Sequence, residues 1–117
     1  MKSHKDLDVW KRAIELVSMI YAVTKKFPKD EIYGISNQIR RAAVSIPSNI
    51  AEGAARKHAK EFVQFLYVSL GSSSEIETQL LICKNLKYIS DDVAENIQKE
   101  LDAIRKMIIG LIRSLEN

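Results

Sequence analysis

Few residues in this chain have the type and spacing for chemistry, and most of those that do lie in one stripe. Gln38, Arg41, Ser45, Asn49, Glu52 and Arg56 recur at steps of 3, 4, 4, 3 and 4. On a helix such steps keep the side chains along one side. This stripe runs beside an apolar one rather than opposite it, which leaves two uses for it. The polar groups can satisfy one another along a helix–helix or subunit seam and fix its register, or they can contact a ligand or RNA. Glu52 and Arg56 stand four apart, the spacing of a helical ion pair. Arg40 projects elsewhere, and with Lys57 and Lys60 it is placed for solvent or phosphate.

Catalytic constellations are poorly represented. A bundle holding two iron or manganese ions needs carboxylates and two Glu-x-x-His pairs on facing helices. Only His4 and His58 are present, and neither has a glutamate three residues before it; His4 also falls in a terminus expected to fray. Cys83, the single cysteine, continues the spacing of Ile76 and Leu80 and reads as a small core residue. The serines lack a Ser-His-Asp order or a G-x-S-x-G elbow. Gly71-Ser72-Ser73-Ser74 lacks the second glycine and the Lys-Ser/Thr of a phosphate loop. The expectation is a protein that is not an enzyme and carries no metal or other cofactor.

The remaining chemistry is cationic. Lys11, Arg12, Lys25, Lys26, Arg40, Arg41, Arg56, Lys57 and Lys60 are the candidate phosphate donors, and several fall in pairs at or near predicted helix ends. Residues 1–60 hold 12 Lys/Arg and 6 Asp/Glu, or +6, whereas residues 61–117 hold 6 and 9, or −3. Such asymmetry marks a polyanion-facing surface or two halves of a bundle attracting each other. Aromatic side chains make up only 7% of the chain and no RNA-recognition motif is present, so any RNA contact is expected to rest on charge and shape.

The elements that must position these residues are helices. The chain has 117 residues, 46% hydrophobic, with four glycines and two prolines, a length suited to one domain and a turn content too low for an all-β fold. Apolar residues recur at helical spacing over about 7–27, 31–55, 59–88 and 91–116. The first helix presents Val9, Ala13, Leu16, Val17, Ile20, Thr24 and Phe27, and Pro28 closes it. Asp30 is placed to cap the second, which carries Ile32, Ile35, Ile39, Ala42, Ile46 and Ile50 and should kink at Pro47. The third shows Phe62, Leu66, Ser69, Ser73, Ile76, Leu80 and Cys83. Ser90 caps the fourth, where Ile97, Leu101, Ile104, Ile108, Leu111 and Leu115 form a heptad seam. Matched lengths and short connections predict an all-α, antiparallel up-down-up-down four-helix bundle over residues 1–117.

Some apolar residues fall outside these stripes. Val68, Ile82 and Ile109 lie opposite the predicted core faces, with Ile112 at an edge, which points to a second buried surface and a homo-oligomer. No apolar run approaches the length of a membrane span. Met1-Lys2-Ser3-His4-Lys5-Asp6 lacks the apolar core of an export signal. With one cysteine, the expected setting is the reducing cytoplasm.

Longer stretches carry a family resemblance. Leu7-Asp8-Val9-Trp10, Phe27-Pro28-Lys29-Asp30-Glu31-Ile32-Tyr33-Gly34 and the run from Gln38 to Gly53, with its Ser45-Ile46-Pro47-Ser48-Asn49-Ile50-Ala51-Glu52-Gly53 core, resemble the proteins named for intervening sequences in 23S ribosomal RNA genes. Phe62, Phe65-Leu66, Leu70-Gly71-Ser72 and Glu75 extend the resemblance into the third helix. Ala54, Ala55, Ser69 and Ser73 depart from its pattern. The resemblance implies a four-helix bundle assembled as a ring-like homopentamer. The related accessory variability determinants of diversity-generating retroelements imply nucleic acid as a partner and, in a retroelement setting, a reverse transcriptase. Two functions follow as expectations: an oligomeric bundle associated with RNA or a ribonucleoprotein, or an interaction scaffold without nucleic-acid affinity.

Overall fold

Four helices run alternately up and down in the computed structural model, which describes residues 3–117: α1 (Asp8–Thr24), α2 (Ile35–Ala54), α3 (Ala59–Asn85) and α4 (Asp91–Glu116). Met1 and Lys2, part of the stretch read against an export signal, lie outside the described residues. Each helix packs on two neighbours, α1 on α2, α2 on α3, α3 on α4 and α4 on α1, so the bundle is square in section. It measures 44 × 23 × 20 Å. No β-strand occurs among the described residues, and none of the helices described is long and apolar enough to cross a membrane.

The helix ends show how the sequence sets each boundary. Ahead of α1, the Ser3 hydroxyl accepts from the Lys5 amide while Asp6 accepts from the Ser3 amide, closing a capping box around a short turn at His4–Asp6. The His4 ring meets the Trp10 ring edge-on at 5.0 Å, so His4 is packed rather than frayed. α1 stops at Thr24, short of the expected Phe27. Amides of Lys26 and Phe27 bond back to Val23 and Thr24 in tight turns, which swings Phe27 into the core against Tyr88.

α2 begins at Ile35 rather than 31, and Asp30 is not its cap. That role falls to Glu31, whose Oε1 accepts from the Ile35 amide at 3.5 Å while Oε2 accepts from the Tyr88 hydroxyl at 2.7 Å. Gly34 makes room for this: a Cβ there would collide with Glu31 Oε1. Because the chain is still turning at Ile32, that residue is 55% exposed and leaves the predicted core stripe. α2 then runs without a break through Pro47 to Ala54.

α3 ends at Asn85 because Lys87 adopts φ 62°, the left-handed conformation usual after a helix. The Tyr88 amide bonds to the Cys83 carbonyl and the Lys87 amide to Lys84, the double closure of a Schellman turn. Ser90 caps α4 as expected, accepting from the Val93 amide at 3.1 Å. The buried seam of α4 is Ile97, Leu101, Ile104, Ile108 and Ile112. Leu111 and Leu115 are only half-buried and Ile112 takes the predicted place of Leu111, because a straight helix drifts by about 20° per heptad from a strict 3.5-residue repeat.

Candidate nucleic-acid interface

The signature run of α2 is built into its joint with α3, the most extensive helix pair in the bundle. Asn49 donates to the Ser45 carbonyl at 2.8 Å and to the Ser45 hydroxyl at 2.9 Å. Ser72 of α3 donates to the same Ser45 hydroxyl at 2.8 Å, and Ser69 donates to the Ile46 carbonyl at 3.0 Å. Pro47, buried beside them, removes one helical N–H donor from this stretch. At the lower end a Cβ on Gly53 would lie 2.8 Å from both Phe62 Cδ1 and Phe65 Cβ, so only glycine lets the helices approach this closely. Ser45 and Asn49 therefore serve a seam within the chain. Ser69 and Ser73, departures from the family pattern, are fully buried, and Ser73 bonds back to the Leu70 carbonyl at 2.6 Å.

The outer members of the stripe stay in solvent. Glu52 and Arg56 are exposed and do not pair. Arg56 instead lays its guanidinium over the Phe65 ring, 4.9 Å from the centroid. Gln38 and Arg41 line a cleft of about 360 Å³ with Ser45, Glu75 and Gln79. Gln79 is buried, and its Oε1 has no hydrogen-bond partner. It went unrecognised in the sequence, although Ser69, Ser72, Ile76, Gln79 and Cys83 form a second buried row at steps of 3, 4, 3 and 4.

The nine candidate cations do not converge. Lys11, Arg12, Arg56, Lys57 and Lys60 lie toward the end that holds the α2–α3 connection, whereas Lys25 and Lys26 lie at the opposite end and Arg40 and Arg41 in the half of α2 nearest them. About 14 residues of α1 separate the Lys11–Arg12 pair from Lys25–Lys26, roughly 21 Å at 1.5 Å per residue. Arg12 is committed within the bundle: its Nε donates to Glu100 Oε1 at 2.7 Å, and that hydrogen bond raises its already high pKa. This is the sole ion pair between the basic first half and the acidic second half among the described residues.

Arg40 is also placed differently from expectation. Its Nε donates to Thr24 Oγ1 at 2.7 Å and its guanidinium carbon stands 4.6 Å from the centre of the Tyr21 ring. Arg40 and Tyr21, together with Arg41, Ile32, Tyr33, Asn37 and Val44, line an open groove of about 620 Å³ between α1 and α2. The spacing of α1 has Tyr21 widening its apolar stripe, but the ring is 44% exposed and lines this groove instead; Tyr33 carried no site signal in the sequence. Among the described residues no three His, Cys, Asp or Glu side chains come together as a metal site. Cys83 is fully buried, and burial pushes its thiol up to about 11, which disfavours the nucleophilic thiolate.

The sequence pattern of the 23S rRNA-intervening sequence proteins matches residues 5–110. The chain belongs to this family. This intervening-sequence protein is also similar to a crystal structure from Bacteroides thetaiotaomicron VPI-5482, described as a protein with unknown function from the S23 ribosomal protein family. The two share 26% identity with a TM-score of 0.82, over 89% of this chain and 97% of that one. No curated protein matches the sequence. Residues 45–53, which carried the sequence resemblance, thus lie in the α2–α3 joint.

Proposed function

We propose that this intervening-sequence protein is a non-enzymatic helical bundle that assembles with copies of itself and holds RNA, or a ribonucleoprotein, by charge and shape. The observation that carries the reading is the unequal outer surface. α3 has no Lys or Arg from Glu61 to Cys83, and its outward side exposes Tyr67, Val68, Leu81 and Ile82. Lys11, Lys25, Lys26, Arg41, Lys57 and Lys60, by contrast, are exposed and make no ion pair among the described residues. A helix face with exposed apolar side chains and no cation suits contact with another copy, and Gly71 at its middle has nothing within 4 Å of its Cβ position. Repetition of these exposed cations around an assembly multiplies phosphate contacts, each of which releases counterions.

The test pairs solution mass with RNA retention. Wild-type protein should show an assembled mass that collapses to a single bundle in Val68→Lys/Ile82→Lys. RNA should be retained at low salt, released as salt rises, and weakened by charge reversal of Arg56, Lys57 and Lys60 with assembly intact. A single-bundle mass at every concentration rejects the assembly. A second reading, a protein-interaction scaffold, draws on Arg12 and Arg40 being engaged by partners within their own chain. Assembly without RNA retention at low salt would select it.

A further inference from the structure

We infer that the groove between α1 and α2 takes single-stranded RNA, with a phosphate on Arg40 and Arg41 and an unstacked base against Tyr33. The inference rests on the RNA reading above and names its site. Arg40 is prepared for an anion. The Thr24 hydroxyl donates its own hydrogen to the Ile20 carbonyl at 2.7 Å, which leaves its lone pair for Arg40 Nε. Tyr21 supports the flat side of the guanidinium. That arrangement uses one of the five guanidinium donors and leaves the terminal N–H groups without a protein partner among the described residues. A fork held by stacking and one hydrogen bond has little freedom left to lose when it grips a phosphate.

The rest of the groove suits the same ligand. No carboxylate lines it, Arg41 stands next to Arg40 with no ion pair, and Lys25 and Lys26 follow Thr24 directly in sequence. Tyr33 is 91% exposed, so its ring has no packing role in the bundle. Ile32 and Val44 add exposed apolar surface beside it. Two arginines with an open aromatic ring match a repeating phosphate backbone with flat bases, the combination by which single strands are bound without sequence readout. An A-form duplex keeps its bases stacked and offers Tyr33 nothing to cover.

The experiment measures fluorescence anisotropy of labelled oligouridylate of about ten nucleotides, the range of known single-strand sites, titrated with the full chain. Duplex RNA of the same length and a glutamate-rich peptide are the comparison ligands. Tyr33→Ala should weaken oligouridylate binding by about fivefold or more, Tyr33→Trp should restore it, and neither should alter duplex binding. Arg41→Gln should lower the slope of log affinity against log salt by about 0.7, one phosphate contact on a single strand. Both positions are exposed, so folding is not at stake. Unchanged affinity in Tyr33→Ala and Arg41→Gln, with loss in Lys57→Gln/Lys60→Gln, overturns the groove but leaves the RNA reading standing. Tighter binding of the peptide than of oligouridylate makes the groove a peptide site and also overturns the inference. Failure of wild-type protein to retain any RNA at low salt removes both.

Discussion

A single methyl group tests the α2–α3 joint. In an open helix interior, replacing glycine by alanine stabilises by about 0.5–1 kcal/mol because alanine loses less backbone entropy. At Gly53 the new Cβ would lie 2.8 Å from Phe62 Cδ1, 2.8 Å from Phe65 Cβ and 3.2 Å from the Phe62 carbonyl oxygen. The Phe62 ring edge can turn aside. Phe65 Cβ and the carbonyl move only with the α3 backbone, so the helices must separate by several tenths of an ångström. Overpacking of this kind costs about 1–3 kcal/mol, and subtracting the propensity gain leaves Gly53→Ala less stable by about 1 kcal/mol, within a span of about 0–2.5 kcal/mol. Gly110 is the control: it lies within α4 with nothing within 4 Å of its Cβ position, so Gly110→Ala should gain about 0.5–1 kcal/mol. Urea titrations at one protein concentration would show the two midpoints moving in opposite directions with an unchanged slope. A Gly53→Ala protein more stable than wild type, or a destabilised Gly110→Ala, refutes this account of the joint.

Other perturbations probe separate parts of the fold. Lys87→Gly relieves the left-handed conformation at φ 62° and should raise the urea-derived stability by about 0.5–1 kcal/mol; a loss would mean that the lysine side chain contributes more than the strain it bears. In a double-mutant cycle, Ser45→Ala and Ser72→Ala should show a coupling of about 0.5–1.5 kcal/mol for their shared hydrogen bond, whereas strict additivity would remove the bond from the account of the joint. For pH, burial raises the Cys83 thiol from 9.0 to about 11, so the unfolded chain gives up its proton first. The associated stability is complete below the ordinary thiol value and falls as pH rises toward 11. Tyr88, raised by its hydrogen bond to Glu31, acts in the same direction above pH 10. Urea midpoints across the alkaline range should therefore decline, less steeply in Cys83→Ala; identical slopes in the two proteins would show that the thiol does not titrate with unfolding.

The helical faces were legible because one apolar stripe per helix meets one core. Every predicted core position of α3 from Phe62 to Cys83 is buried. The errors sit where periodicity loses authority to local geometry. Phe27 is in the core but outside a helix, because the turn before Pro28 delivers it there. Asp30 resembled a cap, yet a carboxylate one residue later could reach both the Ile35 amide and Tyr88, a partner 57 residues away that no local pattern reveals. The polar stripe was visible as a stripe, but its division into an inner pair at Ser45 and Asn49 and an outer set in solvent depended on which side α3 approached. Arg40 shows the same limit: its rank among free cations changed once Thr24 and Tyr21 of α1 came within reach.

The square section also has consequences for how the molecule comes apart. Its sides are unequal: α2 and α3 share the broadest contact, stitched by serine hydrogen bonds, and α1 and α4 share the narrowest of the four. Local opening starts where few buried contacts must be broken, so the bundle should part first along the α1–α4 line while the α2–α3 hairpin holds. Amide exchange would then run faster in α1 and α4 than in the hairpin. Arg12 and Glu100 span that weaker line. Their exposed ion pair is a clasp that salt loosens, which makes the ease of opening, more than the fold itself, responsive to the ionic surroundings.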